Sequence, residues 1–189
     1  MKKPTIGFAM CGSFCTFEKA FCQLAGLLEH FDVLPIMSQN AFETDTRFGR
    51  AKEHVAWLED MTGHRVIHTI AEAEPLGPKH MVDLLAVAPC TGNTLAKLAH
   101  AITDTSVTMA VKSVLRVGTP VVLCLATNDA LAGSAQNIGR LLNTKHLYFV
   151  PFSQDDPKEK PTSLVANFDR LLPAVQAALR GEQLQPLLQ

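Results

Sequence analysis

The segment from Leu84 to Asp104, LLAVAPCTGNTLAKLAHAITD, places the strongest constraint on what this chain can fold into. It opens with the apolar run Leu84–Ala88, which is too short to span a membrane and is typical of a strand buried on both faces. Pro89 has no N–H to donate to a neighbouring strand, so we expect the strand to stop there. A small polar turn follows, and apolar residues then recur at helical spacing, at Leu95, Leu98, Ala99 and Ile102. The segment predicts a strand, a turn and a helix, in that order.

The polar turn Cys90–Thr94 lies between the carboxyl end of this strand and the start of the helix. Free backbone N–H groups and hydroxyls at such a junction suit a phosphate or a polar heterocycle. Thr91, Asn93 and Thr94 would equally serve to cap the helix, and on local chemistry alone capping is the commoner role. Both interpretations are compatible with the segment taken by itself.

Apolar runs alternate with helical periodicity along the rest of the chain. Strands are also predicted at Thr5–Met10, Val33–Met37, Pro120–Ala126 and Leu147–Val150, with a short one at Val66–His68. Helices are predicted at Thr16–Phe31, Arg50–Met61, Val107–Val117, Ser134–Leu142 and Leu164–Arg180, the last kinked by Pro173. Thr16 is the expected N-cap of the first of these helices, and Phe152–Thr162 is expected to be an exposed loop. This pattern predicts an α/β fold, a doubly wound, Rossmann-like or flavodoxin-like parallel sheet of about six strands with helices on both faces. A single domain is expected over residues 1–189.

Composition argues against several classes of protein. The formal net charge of −1 gives no support for nucleic-acid binding, and no apolar run is long enough for a membrane helix. The five cysteines have neither the spacing of a disulfide framework nor that of a metal site, so we expect no metal. The start of the chain does not resemble a signal peptide, and a cytoplasmic protein is expected.

Small polar residues occur at four predicted strand ends. They are Gly12-Ser13, Ser38, the Thr91–Thr94 turn and Thr127-Asn128. The carboxyl ends of parallel strands share one edge of a sheet, so these residues are expected to meet there. The sequence therefore predicts a binding site at that edge, without reference to any known family.

Within the Leu84–Asp104 segment, the sequence AP-C-TGNTLAKLAHAITD resembles the AP-A-T/S-ANT-I-AKLA-x-G-I-AD segment of the flavin-dependent cysteine decarboxylase superfamily. The superfamily's first loop, G-S-I-A, is similar to Gly12-Ser13-Phe14-Cys15, and a Ser or Thr at the position of Ser38 reaches the cofactor in those proteins. The resemblance implies a bound flavin mononucleotide (FMN). The residues implied to bind it are Gly12, Ser13, Phe14, Ser38, Pro89, Thr91, Gly92, Asn93, Thr94, Thr127 and Asn128.

The chain departs from the decarboxylases after the strand Pro120–Ala126. Their P-A-M-N-x-x-M-W element is replaced by LATNDAL at Leu125–Leu131, in which Asn128 is kept but Thr127 stands for the Met and the Trp is absent. The chain instead resembles the dipicolinate synthase B-subunit family within the superfamily. The motifs that carry this resemblance are T-R-F-G, A-E-P-L-G-P-K, A-P-x-T-G-N, T-N-D-A-L and P-F-x-Q-D-D-P, at Thr46–Gly49, Ala73–Lys79, Ala88–Asn93, Thr127–Leu131 and Pro151–Pro157.

This resemblance implies an FMN-binding protein that works with the A subunit of dipicolinate synthase, which carries NADP, to oxidise dihydrodipicolinate to dipicolinate. It also implies a homo-oligomer, a trimer or a multiple of one, in the mother-cell cytoplasm of a sporulating bacterium. The chain has no dinucleotide fingerprint of its own. A stand-alone FMN-dependent decarboxylase and a flavin-free scaffold are the alternatives.

A dicarboxylate substrate requires fixed cations, and Arg47 in the loop after the second strand is the favoured one. An ordinary exposed loop Arg is the equally weighted alternative for this residue. Lys79 and Lys112 are weaker candidates, and Asn128 is the second residue assigned to catalysis. His54 is a candidate catalytic His because the decarboxylases carry an active-site His after their second strand. The sequence around His54 does not match the decarboxylase motif, however. A core-edge or solvated His is the favoured interpretation of His54.

Overall fold

The fold is known from a computed structural model that describes residues 3–189. The strands are β1 Thr5–Met10, β2 Asp32–Met37, β3 Leu84–Cys90, β4 Val121–Thr127, β5 Leu147–Phe149, β6 Phe152–Ser153 and β7 Leu164–Ala166. The helices are α1 Phe17–His30, α2 Gln39–Glu43, α3 Ala51–Thr62, α4 Ile70–Ala73, α5 Gly92–Ala99, α6 Ser106–Leu115, α7 Ala135–Leu142 and α8 Leu171–Leu179. Short 3₁₀ turns lie at Phe14–Thr16, Glu74–Leu76 and Phe168–Arg170.

The seven strands found within residues 3–189 belong to one sheet with a parallel core. β2, β1, β3 and β4 are neighbours in that order, and β5 pairs in parallel with the first part of β4. The resulting order, 2-1-3-4-5, is the flavodoxin-like arrangement, in which the chain reverses its winding between β1 and β3. β7 pairs antiparallel with the end of β4, and β6 pairs antiparallel with β7. The predicted doubly wound α/β fold is confirmed.

Helices cover both faces of the sheet. α1 and α8 pack against each other and against the central strands, while α6 packs against β2, β3 and β4 together with α4 and α5. Every residue of β3 is buried, as expected for a central strand covered on both faces. The large side chains of the core include Phe8, Leu24, Leu84 and Phe149, all without solvent exposure. None of the helices within residues 3–189 has the length and apolar character needed to cross a bilayer.

The end of the chain differs from the sequence-based expectation. The predicted helix Leu164–Arg180 is instead a short strand, β7, then a 3₁₀ turn and then α8. The side chain of Asn167 accepts a hydrogen bond from the Asp169 N–H and so starts the turn. Pro173 is the third residue of α8, where its missing N–H would have no helical partner in any case, so it does not need to kink the helix.

Two local predictions near the sheet edge were also wrong. Pro89 does not stop β3, which continues to Cys90 after a register shift against β4. Thr16 does not cap α1 with its side chain; its hydroxyl donates to the Ser13 carbonyl at 2.8 Å. In both cases the carboxyl edge of the sheet is organised by contacts between loops, which local propensity does not describe.

Candidate functional site

An open cleft of about 750 Å³ lies at the carboxyl edge of the sheet, beside the point where the winding reverses. This is the place where ligands bind in open parallel sheets. Three strand ends contribute to it, those of β1, β3 and β4. The turn that carries Arg47 and the loop between β6 and β7 complete the lining.

The loop after β1 is held against β3 by its backbone. The Cys11 N–H donates to the Pro89 carbonyl at 3.1 Å, and the Ser38 N–H donates to the Met10 carbonyl at 2.9 Å. The Ser13 carbonyl accepts from the Thr16 N–H at 3.0 Å. Within residues 3–189 the Ser13 hydroxyl has only a 4.0 Å contact with the Cys15 sulfur. This hydroxyl is therefore available to a ligand in the cleft.

The start of α5 combines a cap with a buried anchor. The Thr91 hydroxyl accepts from the Thr94 N–H at 3.3 Å, so Thr91 does cap the helix as the local chemistry suggested. Thr94 is buried, and its hydroxyl donates to the Cys11 sulfur at 3.2 Å. Burial raises the pKa of the Cys11 thiol to about 11, against the opposing effect of the Thr94 hydrogen bond, so this thiol stays protonated at neutral pH. α5 is thus fixed to the residue that follows β1 through an uncharged contact.

A carboxylate lies directly beside the first residue of α5. The Asp129 Oδ1 atom accepts hydrogen bonds from the hydroxyls of Thr127, at 2.5 Å, and Ser134, at 2.9 Å. The Thr127 hydrogen bond, with that of Ser134, lowers the pKa of Asp129 despite its partial burial, so this carboxylate is ionised at neutral pH. A Cβ atom built on Gly92 would lie 2.9 Å from Asp129 Oδ1. We call Thr127, Asp129 and Ser134 the carboxylate cluster; it places a fixed negative charge at the N-terminus of α5.

The loop 154–163 between β6 and β7 closes the cleft from the other end of the chain. The Thr162 hydroxyl donates to the Asn128 carbonyl at 2.7 Å, and the Leu131 N–H donates to the Thr162 carbonyl at 2.9 Å. Within the loop, Lys160 Nζ lies 3.2 Å from Asp155 Oδ2. Hydrogen bonding to Asp155, and its charge, raise the pKa of Lys160. No site residue was predicted in this loop from the sequence, although its P-F-x-Q-D-D-P motif carries part of the resemblance.

The structure brings most of the predicted site residues together. Those that line the cleft are Gly12, Ser13, Phe14, Arg47, Thr91, Gly92, Asn93, Thr127 and Asn128. Ser38, Pro89 and Thr94 do not line it. The Ser38 hydroxyl accepts from the Ala41 N–H and caps α2. Lys79 lies outside the cleft as well, and Lys112 lines a separate groove between α5, α6 and α7.

His54 lies in an aromatic pocket of about 590 Å³ that shares Phe14 and Phe48 with the cleft. Its ring packs against those of Phe17 and Phe21, with centroid distances of 5.2 and 5.5 Å. The Nε2 atom is buried and has no hydrogen-bond partner among residues 3–189. Burial lowers the pKa of His54, so its ring is neutral at neutral pH. This environment agrees with the core-edge interpretation.

The donor set of the cleft suits a flat ring that carries an anionic tail. The side-chain amides of Asn93 and Asn128 and the Arg47 guanidinium have no hydrogen-bond partner within residues 3–189, so all three are free to bind a ligand. Apolar surface from Phe14, Phe48, Ala126 and Val165 lies between these polar groups. Apolar walls with a few convergent donors are typical of a cofactor site, and the residues present therefore fit FMN.

Comparison with known proteins agrees with this geometry. The family model described as Flavoprotein matches residues 1–170. The chain is 47% identical to the B subunit of dipicolinate synthase from Bacillus subtilis (strain 168), over all of this chain and 94% of that protein. A crystal structure of the corresponding B subunit from Bacillus halodurans superposes with a TM-score of 0.91, at 41% identity, covering 100% of this chain and 97% of the other.

A more distant structure shares the fold alone. Burkholderia xenovorans DmrB in complex with FMN, described as a cubic protein cage for redox transfer, superposes with a TM-score of 0.70 at 20% identity, over 94% of this chain and 96% of that one. The family match covers most of the chain, and the similarity to the B subunits extends over its whole length. The chain therefore belongs to the Flavoprotein family and, within it, groups with the dipicolinate synthase B subunits.

Proposed function

We propose that this chain is an FMN-binding protein that works with the separate A subunit of dipicolinate synthase in the oxidation of dihydrodipicolinate to dipicolinate. Similarity to dipicolinate synthase B subunits over the whole chain supports the reaction. The observation that carries the flavin assignment is the convergence of unpaired donors and apolar surface in one cleft at the carboxyl edge of the sheet. Bound in this cleft, FMN would supply an acceptor for two electrons.

The cofactor phosphate is assigned to the loop after β1 and the start of α5. In the loop after β1, the available donor is the Ser13 hydroxyl. At the start of α5, the N–H groups of Gly92 and Asn93 have no partner within the helix and can donate to the phosphate. Phe14 provides an apolar side for the ring, and Thr91 holds the helix start in place.

We propose an indirect role for Ser38, Pro89 and Thr94, which support the residues that contact the ligand. Each is hydrogen-bonded to the end of β1 or the residue after it, through the Ser38 N–H, the Pro89 carbonyl and the Thr94 hydroxyl. They would thus keep the Gly12-Ser13 backbone in the position that the phosphate requires.

The substrate side of the cleft is assigned to the β4 loop and Arg47. Asn128 would donate its amide to the substrate, and Arg47 would bind a carboxylate through its planar fork of N–H groups. Thr127 lies next to the Asn but donates its hydroxyl to Asp129, so we assign it to positioning of the loop. The nicotinamide cofactor NADP is assigned to the A subunit, because the present sequence contains no G-x-G-x-x-G fingerprint. A homo-oligomer, a trimer or a multiple of one, in the mother-cell cytoplasm of a sporulating bacterium completes the proposal.

Flavin binding can be tested directly by the visible spectrum of the purified chain after incubation with FMN and removal of free flavin. Retained flavin absorbance is expected for the wild type. Ser13→Asp should abolish it, because a carboxylate would face the phosphate. Thr44→Asp adds the same charge at an exposed position outside the cleft and should retain flavin. If Ser13→Asp retains as much flavin as the wild type, Ser13 does not belong to the flavin site. If the wild type itself retains no flavin, the flavin-free scaffold is favoured.

The reaction is tested by the formation of dipicolinate from dihydrodipicolinate with a nicotinamide cofactor. The assay is run with this chain by itself, with the A subunit by itself and with the two together. We expect full activity only from the pair. Full activity of this chain by itself would overturn the assignment of the nicotinamide site to its partner. Arg47→Ala should retain fold and flavin but lower turnover by the pair about ten- to a hundredfold, the value of one charge-assisted contact.

A further inference from the structure

Among residues 3–189, two cations line the cleft, Arg47 and Lys160, and they come from loops far apart in the sequence. Arg47 lies in a tight turn closed by two hydrogen bonds between Thr46 and Gly49, of 3.0 and 3.1 Å. Its guanidinium lies over the Phe48 ring, 4.8 Å from the centroid, and forms no ion pair within residues 3–189. Lys160 belongs to the loop 154–163. A ligand in the cleft therefore meets two separate positive groups.

Lys160 is fixed in place although it is exposed. Its backbone N–H donates to the Asp156 carbonyl at 2.8 Å, and its ammonium donates to Asp155 at 3.2 Å. The neighbouring Thr162 ties the loop to the Asn128 carbonyl. An ammonium group carries three N–H donors, and Asp155 accepts one of them. The remaining donors can bind a ligand without breaking the pair with Asp155.

The charges of the cleft explain why a second cation is required. Asp129 and Asp155 also line the cleft, so the described part of the chain contributes two carboxylates and two cations to it before any ligand binds. A ligand with two carboxylates adds two more negative charges. Arg47 has no acidic partner among residues 3–189 and could balance one of them, but a single cation leaves the second carboxylate with neutral donors only and its charge unbalanced. Lys160 supplies the second positive charge.

We propose that Arg47 and Lys160 each bind one carboxylate of a small planar dicarboxylate, and that Lys160 is the residue that distinguishes a dicarboxylate from a monocarboxylate. Asp155 acts through Lys160 as a positioning residue. This inference rests on the proposed function, because it takes the substrate class from it. It replaces Lys79 and Lys112 as candidates for the second cation, since neither lines the cleft.

The inference is tested by calorimetric titration with pyridine-2,6-dicarboxylate and with pyridine-2-carboxylate. Metal-free buffer is used because the dicarboxylate chelates divalent cations. The wild type should bind the dicarboxylate more tightly than the monocarboxylate. Lys160→Ala should lower that preference about fivefold, because it weakens binding of the dicarboxylate and leaves binding of the monocarboxylate unchanged. This factor is the upper range for an exposed charge pair. Lys160→Arg should retain most of the preference, because it keeps the charge.

Lys158→Ala is the matched control, since Lys158 lies in the same loop but does not line the cleft. It should leave both affinities at the wild-type value. The inference is overturned if Lys160→Ala keeps the full preference, if it weakens both ligands equally, or if the wild type binds neither ligand.

Flavin absorbance of each sample separates this inference from the proposed flavin role. A wild type without flavin whose dicarboxylate preference depends on Lys160 would support the inference and contradict the FMN assignment. A flavin-loaded wild type whose preference is independent of Lys160 would contradict the inference alone.

Discussion

Gly92, the first residue of α5, offers the sharpest test of how the cleft is built. A Cβ atom at this position would lie 2.5 Å from the Thr127 Oγ1 atom, 2.9 Å from Asp129 Oδ1 and 3.2 Å from Ser134 Oγ. The first two distances are shorter than real Cβ contacts, so Gly92→Ala requires something to move. In the carboxylate cluster, the hydroxyls of Thr127 and Ser134 both donate to Asp129 Oδ1. None of them can turn away without losing at least one of those bonds.

The expected cost follows from these contacts. An overpacked site typically loses about 1–3 kcal/mol, and loss of a hydrogen bond to a charged group costs about 1.5–3 kcal/mol. Against this, replacing Gly by Ala in a helix gains roughly 0.5–1 kcal/mol. Taking the lost hydrogen bond less the helical gain, we expect Gly92→Ala to lower the free energy of unfolding by about 0.5–2.5 kcal/mol. In a chain of this length each kcal/mol corresponds to roughly 2–4 °C in Tm.

The measurement is urea-induced unfolding followed by circular dichroism, with Tm from calorimetry. Gly139→Ala in α7 is the matched control, because a Cβ atom there would have no neighbour within 4 Å. It should be neutral or stabilising by up to about 1 kcal/mol. A double variant, Gly92→Ala with Thr127→Ala, removes the closest contact and should recover part of the loss.

Two results would refute this reasoning. Gly92→Ala could be as stable as wild type or gain stability as Gly139→Ala does, in which case the carboxylate cluster does not press against α5. Alternatively, the double variant could lose as much free energy of unfolding as Gly92→Ala and Thr127→Ala lose together as single variants. The two residues would then not be coupled, and the destabilisation of Gly92→Ala would have another origin.

Three further outcomes are expected. Ser113→Ala removes the hydroxyl that accepts from the buried Gly77 N–H at 2.9 Å, and urea unfolding should show a loss of about 1–3 kcal/mol. Leu85→Ala in β3 should cost about 2–5 kcal/mol in the same assay, because Leu85 is fully buried. Burial lowers the pKa of His54, so the unfolded chain binds its proton more tightly and stability should fall as the pH drops below about 6.5. His54→Phe should flatten that slope in unfolding curves measured between about pH 5 and 8.

The sheet could be predicted because its central strands leave a clear signal. β3 and β4 are runs of apolar residues buried almost throughout, and the polar turns after them mark their ends. The segment around β7 has no such signal. Leu164–Ala166 is too short to show a period, and its apolar residues also fit the helical spacing of α8. β7 is a strand because it pairs with Ala126 and Thr127, and a pairing partner that far along the chain is not encoded locally.

The site could be predicted only as far as strand ends determine it. Ser13, Thr91 and Asn128 meet because parallel strands bring their carboxyl ends to one edge. Lys160 reaches the same cleft through hydrogen bonds between two loops, such as the one from Thr162 to the Asn128 carbonyl. A contact between two loops leaves no periodic pattern in the sequence from which it could be predicted. For the same reason the sequence indicated Lys79 and Lys112 as further candidate cations and gave no indication of Lys160.

One departure from the decarboxylase-like pattern has a structural reason. The segment that resembles A-P-A-T/S-A-N-T has Gly92 where that pattern has Ala, and Asp129 in the loop after β4 lies directly beside Gly92. An Ala at position 92 would place its Cβ 2.9 Å from Asp129 Oδ1, so the carboxylate fits beside α5 only because residue 92 is Gly. The carboxylate in turn offsets the partial positive charge of the helix N-terminus, which would otherwise attract an anion most strongly. For an FMN phosphate bound as proposed between the Ser13 loop and the start of α5, Asp129 weakens the contribution of the helix end, so the Ser13 loop is expected to contribute more of the binding. The two cations remain available for a ligand that brings carboxylates of its own.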